Sequence, residues 1–253
     1  MRTIAFPVLL ACAVLVSGCA SNARDAGEIQ LLSSTGMRSV LLELIPEFER
    51  ASNYKVAASF DTANLLAARI KAGESADLAI LTRPAIDELA KLGKLAPGSR
   101  ADLARSGMGV SVRAGAPRPD IGSVEAFKRA LLDAKSITYT ATGASGIYFA
   151  GLIERLGIAG QVKAKAKTPA GGAVGELVAR GEAELAVQQI PELMAVAGTT
   201  FVGPLPPEIQ SFTVFTAGVF SEARHAAAAR ALVEFLSTPA AARAMQKKGM
   251  EPG

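Results

Sequence analysis

Short apolar runs alternate with helix-length amphipathic segments along most of this chain, and this alternation limits the folds open to it. The apolar runs predict strands over residues 29–32, 55–60, 78–81, 109–112, 136–139, 161–166 and 185–188. The amphipathic segments predict helices over residues 37–51, 64–72, 85–92, 124–133, 146–156, 174–180 and 191–196. A β-then-α order favours parallel strands, because each helix returns the chain across one face of the sheet. We therefore predict an α/β protein whose sheets are mostly parallel and flanked by helices.

Two proline-rich loops divide this pattern. They are GAPRPDIGS at residues 115–123 and VGPLPPEIQ at residues 202–210. The β-rich run SFTVFTAGVF follows the second loop, and two helices predicted over residues 222–236 and 239–247 come last. We predict two lobes, with lobe 1 built from residues 28–106 and 213–253 and lobe 2 from residues 107–212. Two strands crossing between the lobes would form a hinge that closes over a ligand.

The first 18 residues have the features of a secretory signal peptide. Arg2 precedes an apolar stretch over residues 4–16 that is too short to span a membrane, and LVSGC follows at residues 15–19. This ending resembles the lipobox of bacterial lipoproteins, which predicts cleavage before Cys19 and lipidation of that cysteine. Ordinary signal cleavage nearby is the alternative. Residues 19–27 are small and polar, and we predict that they form a tether.

The composition argues against several functions. The two cysteines are Cys12, inside the signal peptide, and Cys19, so the mature body has no cysteine for a disulfide, a zinc site or a thiol nucleophile. The single histidine, His225, begins a late helix, which indicates neither a catalytic triad nor a metal cluster. A net charge of +4 without a basic cluster does not indicate nucleic-acid binding. We expect no metal, no cofactor and no nucleic-acid partner.

Four predicted strand-to-helix corners are rich in glycine, serine and threonine. They are residues 33–36 (SSTG), 59–64 (SFDTAN), 140–146 (TATGASG) and 168–172 (TPAGG), with Gln188 and Gln189 ending the strand after the last corner. Helix capping alone would explain a single corner. Two corners in each lobe, however, could converge at the carboxyl ends of the strands, where helix N-termini attract anions. We predict an anion site of neutral donors, with Arg38 and Arg83 near its rim.

The chain resembles the periplasmic molybdate-binding proteins of ABC importers from Glu28 to Pro252. The resemblance lies in five stretches: LLSSTGM (31–37), SFDTANLLAARIKAGESADLAIL (59–81), GASGIYFAGLIERLG (143–157), LVARGEAELAVQQIPEL (177–193) and ALVEFLSTPAAARAMQKKGMEP (231–252). It implies a two-lobed periplasmic-binding-protein fold with two crossover strands as the hinge. It also implies ligand-binding positions at Ser34, Thr35, Gly36, Thr62, Ala63, Ser145, Gly171 and Gln188. The family's two serines fall on Gly36 and Ala63 and its tyrosine on Gln188, so three side-chain donors depart from the family pattern.

The resemblance implies a solute-binding protein that encloses a small oxyanion, such as molybdate, and delivers it to an inner-membrane ABC permease. We expect a periplasmic monomer that is anchored to the membrane by a lipid on Cys19. The alternative is a periplasmic enzyme resembling aconitate isomerase, which is itself similar to this family. Such an enzyme would bind a di- or tricarboxylate and shift a proton, with Arg38 or Arg83 as counter-charge. The sequence identifies no catalytic residue, and a passive structural lipoprotein would not explain four matched corners.

Overall fold

The computed structural model describes residues 27–253 as two β-sheets with helices packed on their faces. The strands are β1 (Glu28–Ser34), β2 (Lys55–Asp61), β3 (Leu78–Thr82), β4 (Ala101–Ser106), β5 (Met108–Arg113), β6 (Ile137–Thr138), β7 (Ala166–Lys167), β8 (Leu185–Gln189), β9 (Thr199–Pro204), β10 (Thr213–Val219) and β11 (Glu251–Pro252). The helices are α1 (Arg38–Ser52), α2 (Ala63–Lys71), α3 (Arg83–Lys91), α4 (Val124–Asp133), α5 (Ala144–Arg155), α6 (Ala159–Lys163), α7 (Gly175–Ala179), α8 (Ile190–Met194), α9 (Ala226–Leu236) and α10 (Pro239–Lys247). Short 3-10 helices cover Thr35–Met37 and Pro207–Ile209.

The first sheet has the strand order β11-β4-β10-β3-β1-β2, and the second has the order β7-β6-β8-β5-β9. We call the parts built on them lobe 1 and lobe 2; the residue boundaries of the lobes stay a prediction. Pairing is parallel where β1 meets β2 and β3, and where β6 meets β7 and β8. It is antiparallel around β10 and β5. These two strands enter their sheets directly from the other lobe, without the helical crossover that parallel neighbours need.

The lobe 1 sheet is buried on both faces because neighbouring residues of a strand point to opposite sides. Leu31 of β1 packs with α1, α9 and α10, including Leu41 and Leu232. Leu32, the next residue, packs on the other face with α2 and α3, including Leu66 and Ile86. The sheet therefore fixes where β1, β2 and β3 end, and with them the starts of the helices that follow.

Hydrogen bonds connect the two chain segments that cross between the lobes. Gly107 alone separates β4 in lobe 1 from β5 in lobe 2, and the return crossing leads into β10. The Gln210 side chain binds the backbone of Met108 at both ends: Oε1 accepts from the Met108 N–H at 2.7 Å, and Nε2 donates to its carbonyl at 2.9 Å. The crossings thus form one paired segment about which the lobes could turn.

The strand predicted over residues 161–166 is wrong in most of its length. The segment QVKAKA alternates apolar and charged residues like a strand, but residues 159–163 form α6 and only residues 166–167 join the sheet as β7. Helical spacing places Ile158 and Val162 on one face, where both are buried. Strands β4 and β9 were not predicted from the sequence. Within residues 27–253, no helix combines the length and apolar character needed to cross a membrane.

Candidate anion-binding site

One small cavity lies between the lobes at the carboxyl ends of β1, β2, β3, β6 and β8. Its volume is about 20 Å³, which is room for roughly one or two water molecules. Every predicted ligand residue except Gly171 lines it: Ser34, Thr35, Gly36, Thr62, Ala63, Ser145 and Gln188. The wall also contains residues of the predicted corners that were not among the predicted ligand positions: Thr140, Gly143, Ala144 and Gln189. Four further wall residues were not singled out from the sequence: Thr82, Glu192, Thr213 and Phe215.

Helix starts form much of the wall. α2 begins at Ala63 and α5 at Ala144, each directly after a short polar corner. The first N–H groups of a helix have no partner within it, and they carry the positive end of the helix dipole. Among the described residues that line the cavity there is no lysine or arginine. The site is therefore suited to holding negative charge with neutral donors.

The Ser34 side chain does not cap the helix that follows the first corner. Ser34 is 6% exposed, and its hydroxyl makes no capping hydrogen bond to the 3-10 helix that follows. Two residues later, a Cβ on Gly36 would lie 2.4 Å from Cζ of Phe215. Phe215 thus fills the space that a side chain at position 36 would need, which accounts for the glycine at this position.

Thr140 carries the strongest mark of a ligand site. The residue is 2% exposed, and its Oγ1 has no hydrogen-bond partner among the described residues. A buried hydroxyl without a partner costs about 1–3 kcal/mol, so such groups are uncommon in native proteins. Thr140 lines the cavity. A ligand oxygen in the cavity would be a suitable partner for this hydroxyl.

Thr62, by contrast, is used within the protein. Its Oγ1 accepts from the Leu65 N–H at 3.4 Å and lies 3.2 Å from Oγ1 of Thr142 in lobe 2. Since the Thr142 hydroxyl donates to the Ala170 carbonyl at 2.6 Å, the Thr62 hydroxyl donates to Thr142. Asn64 Nδ2 also donates to the Thr142 carbonyl, at 2.9 Å. This corner therefore caps α2 and fastens the lobes together.

Gln188 is likewise occupied. Its Oε1 accepts from the Val174 N–H at 3.1 Å, and its Nε2 donates to the Gly172 carbonyl at 2.8 Å and to Oε1 of Glu192 at 3.0 Å. The side chain thus organises the fourth corner and orients a carboxyl group, and it has no donor left for a ligand.

Glu192 is the one titratable residue in the cavity wall within the described part of the chain. It lies on α8 of lobe 2. Burial raises the pKa of its carboxyl to about 7, while a hydrogen bond with Thr35 of lobe 1 acts in the opposite direction. The carboxyl group can therefore hold or release a proton near neutral pH, which suits proton transfer. Its burial depends on the contact between the lobes, and no sequence pattern shows that contact.

The other predicted residues lie outside the cavity wall. Gly171 lies against Thr62, where an added Cβ would be 3.0 Å from Cγ2. Arg83 is paired with Asp102, with Nη2 and Oδ2 2.5 Å apart. Arg38 lines a neighbouring groove. Cys19 is outside the described residues.

Among the described residues, His225 lies beside an acidic residue, Asp77, without forming a metal site. The His225 N–H donates to Oδ1 of buried Asp77 at 2.8 Å, and the Gln30 N–H donates to Oδ2 at 2.9 Å. Asp77 therefore joins two backbone segments. Within residues 27–253, no group of three or more His, Cys, Asp or Glu side chains could hold a metal ion.

Comparison with known proteins identifies the family. Residues 29–251 match the family of bacterial extracellular solute-binding proteins. The chain belongs to this family. One relative of this chain is an aconitate isomerase from Pseudomonas sp., which is 36% identical over 236 residues, 91% of this chain and 90% of that protein.

Solved structures of other binding proteins share the fold of this chain. The periplasmic molybdate-binding protein of Azotobacter vinelandii has a TM-score of 0.75 at 17% identity and covers 89% of this chain and 99% of its own. The sulfate-binding protein SubI of Mycobacterium tuberculosis has a TM-score of 0.69 at 17% identity, over 89% of this chain and 87% of its own. The two-lobed α/β fold and the family resemblance predicted from the sequence are thus confirmed. At this identity the likeness concerns the fold and not the ligand.

Proposed function

We propose that this solute-binding protein encloses one small oxyanion, of the size of molybdate, between its lobes and delivers it to an ABC permease. The single observation that carries the proposal is the unpartnered Thr140 hydroxyl in a buried cavity whose wall holds neutral donors and one carboxyl group, Glu192. Helix N-termini and hydroxyl groups stabilise an anion without a paired cation. The family supports the transport role.

Binding would require a small movement of the lobes. An oxyanion with five heavy atoms needs more room than the cavity offers in this arrangement, because its volume is about 20 Å³. The paired crossings at Met108 and Gln210 offer a place for that movement. The hydrogen bonds from Thr62 and Asn64 to Thr142 would then form as the lobes close on the ligand.

A thermal-shift series with molybdate, tungstate, sulfate, phosphate, citrate and both aconitates tests this proposal. Because a ligand that binds only the folded state stabilises it by mass action, tetrahedral oxyanions should raise the melting temperature in proportion to their affinity. Thr140→Val should weaken binding by about tenfold or more, since a hydrogen bond to a charged group is lost, while stability stays equal or rises.

Thr216→Val is a matched control. Thr216 is buried like Thr140 but lies outside the cavity, and its hydroxyl donates to Oδ1 of Asp102 at 2.6 Å. This variant should lose stability and keep its affinity for the anion. If Thr140→Val binds as tightly as the wild type, the cavity is not the binding site.

A second candidate function is the isomerisation of a small tricarboxylate, and Glu192 is the observation that favours it. The 36% identical relative is an aconitate isomerase, and Glu192 places a carboxyl group with a pKa of about 7 in the cavity wall. Its carboxylate would take a proton from the methylene carbon of aconitate. The double bond would move by one carbon, and the same carboxyl group would return the proton to the former alkene carbon.

An assay for trans-aconitate distinguishes the isomerase from the binding protein. Incubation with cis-aconitate, followed by proton NMR, should show trans-aconitate appearing over time in proportion to protein concentration. Stabilisation by tetrahedral oxyanions with no conversion would refute the isomerase and leave the binding protein.

We further propose that Cys19 carries the lipid that holds the protein on the outer side of the inner membrane. The motif at residues 15–19 supports it. Expressed with its signal peptide, the wild type should sediment with membranes and Cys19→Ala should be soluble in the periplasmic fraction. A Cys19→Ala protein that still sediments with membranes would contradict the anchor.

A further inference from the structure

A second space lies directly outside the cavity. This outer groove has a volume of about 760 Å³ and runs between α1 of lobe 1 and α7 and α8 of lobe 2. Thr35 and Glu192 line both the cavity and the outer groove. Among the described residues, these two side chains alone, one from each lobe, are shared by both walls. A ligand that occupies both spaces would pass between them and replace the hydrogen bond that joins Thr35 to Glu192.

Two of the three basic residues in the outer groove form ion pairs with carboxylates, and the third does not. Arg180 forms ion pairs with Glu176 and Glu182, and Lys248 pairs with Glu43 at 2.8 Å. Arg38 has no carboxylate within ion-pair distance among residues 27–253. Its guanidinium lies 5.7 Å from the centre of the Phe60 ring. Arg38 is therefore the groove cation that is available to an anion.

A hydroxyl group stands beside this cation. Ser39, the next residue on α1, also lines the groove, and its buried Oγ has no hydrogen-bond partner among the described residues. The Ser39 hydroxyl is buried within the wall, whereas the Arg38 guanidinium can by itself bind both oxygens of one carboxylate. The sequence shows neither the isolation of Arg38 nor the groove, because both depend on how α7 and α8 approach α1.

We propose that the outer groove is a second anion subsite, which takes a carboxylate joined by a short carbon chain to the anionic group held in the cavity. The inference rests on the proposed function of the cavity as an anion site. It extends the ligand class from single oxyanions to small di- and tricarboxylates with charge at both ends. Such a ligand gains affinity from the second contact because that contact is intramolecular once the first has formed. Its central carbons would lie beside Glu192.

The test compares anions of increasing length by isothermal titration calorimetry. Acetate, sulfate and molybdate reach one subsite, whereas succinate, citrate and the aconitates can reach both. Arg38→Gln should weaken the second group by about tenfold and change the first by less than about twofold, because only the second group uses the groove. Arg155→Gln is the matched control, since Arg155 also lies over an aromatic ring, Tyr148 at 5.2 Å, at the opposite end of α5 from the cavity. It should change neither group.

The outcomes separate this inference from the proposed function. If Arg38→Gln weakens all anions equally, or leaves citrate and the aconitates unchanged, the second subsite is refuted. Binding of tetrahedral oxyanions that depends on Thr140, with no binding of any carboxylate, would also refute the subsite but would leave the cavity as the anion site. If no anion of either group binds the wild type, the proposed function itself fails.

Discussion

Gly146→Ala should destabilise the protein by about 3 kcal/mol or more, because the new methyl group has no space. An ideal Cβ at this position would lie 1.6 Å from the carbonyl oxygen of Thr140 and 2.8 Å from its Oγ1. The nearest atom is backbone, so a side-chain rotation cannot relieve the overlap. The first turn of α5 would have to move away from the end of β6, and urea unfolding would measure the cost.

The same movement should abolish most anion binding. Ser145 and the first N–H groups of α5 lie in the cavity wall beside Thr140. A displacement of about 1 Å at such a site commonly costs about a hundredfold. We expect at least that loss of affinity in calorimetric titration of the Gly146→Ala protein with its best anion, under conditions where the protein is still folded.

Gly151→Ala on the same helix is the control. A Cβ there would meet Arg155 Nη1 at 3.5 Å, which is an ordinary contact with a flexible side chain. Because alanine favours the helical state over glycine by about 1 kcal/mol, this variant should gain stability and keep its affinity. If the two alanine variants have equal stability and equal affinity, close packing of α5 on Thr140 is not needed for folding or for anion binding.

Much of the fold could be predicted because it depends on local patterns. The two residues Leu31 and Leu32 pack on opposite faces of one sheet, which an apolar run in a β-then-α chain predicts. The pattern fails where periodicity is ambiguous: residues 161–166 alternate like a strand, yet residues 159–163 are helical. The two crossings between the lobes were predicted, but the antiparallel pairing of β10 and β5 was not, because strand direction depends on partners distant in the chain.

The site was only partly predictable, because the role of a residue depends on partners distant in the chain. The predicted donors Thr62 and Gln188 do line the cavity, but their hydrogen bonds go to Thr142 and to the loop at residues 172–174. Thr140 lies in a predicted corner, and the hydroxyl at the end of a strand was the available signal for it. Glu192 gave no signal, because its contacts with Gln188 and with Thr35 of the other lobe depend on the folded arrangement.

Glu192→Gln should change the pH dependence of stability more than any other single replacement in the cavity wall. Burial raises the pKa of the carboxyl from its ordinary value of 4.5 to about 7. Between these values the native protein holds a proton that the unfolded chain releases, so stability falls as pH rises and levels off above pH 7. The loss is at most about 3 kcal/mol, and solvent in the outer groove reduces it.

The glutamine variant should lack this slope and should be more stable than the wild type at pH 8. Its Oε1 can still accept from Gln188, and its amide can still bond to Thr35, so the replacement removes the charge and keeps the shape. Urea unfolding of both proteins at pH 5, 6, 7 and 8 measures the difference. The other charged groups of the groove remain in both proteins and cancel in the comparison; they are Arg38, Glu176, Arg180 and Lys248.

Glu176→Gln is the control for this series, because Glu176 lines the same groove but its side chain is 62% exposed. It should keep the wild-type slope, and a wild-type slope in Glu192→Gln as well would show that the Glu192 carboxyl is fully solvated.

The Glu192→Gln protein also decides between the two candidate functions. For a binding protein, removing a carboxylate that repels the ligand should strengthen oxyanion binding at pH 8. For an isomerase, removing the group that carries the proton should slow conversion of aconitate by about a hundredfold or more, with binding retained. One replacement therefore moves the two activities in opposite directions, because the same carboxyl group is an obstacle to a bound anion and a carrier for its proton.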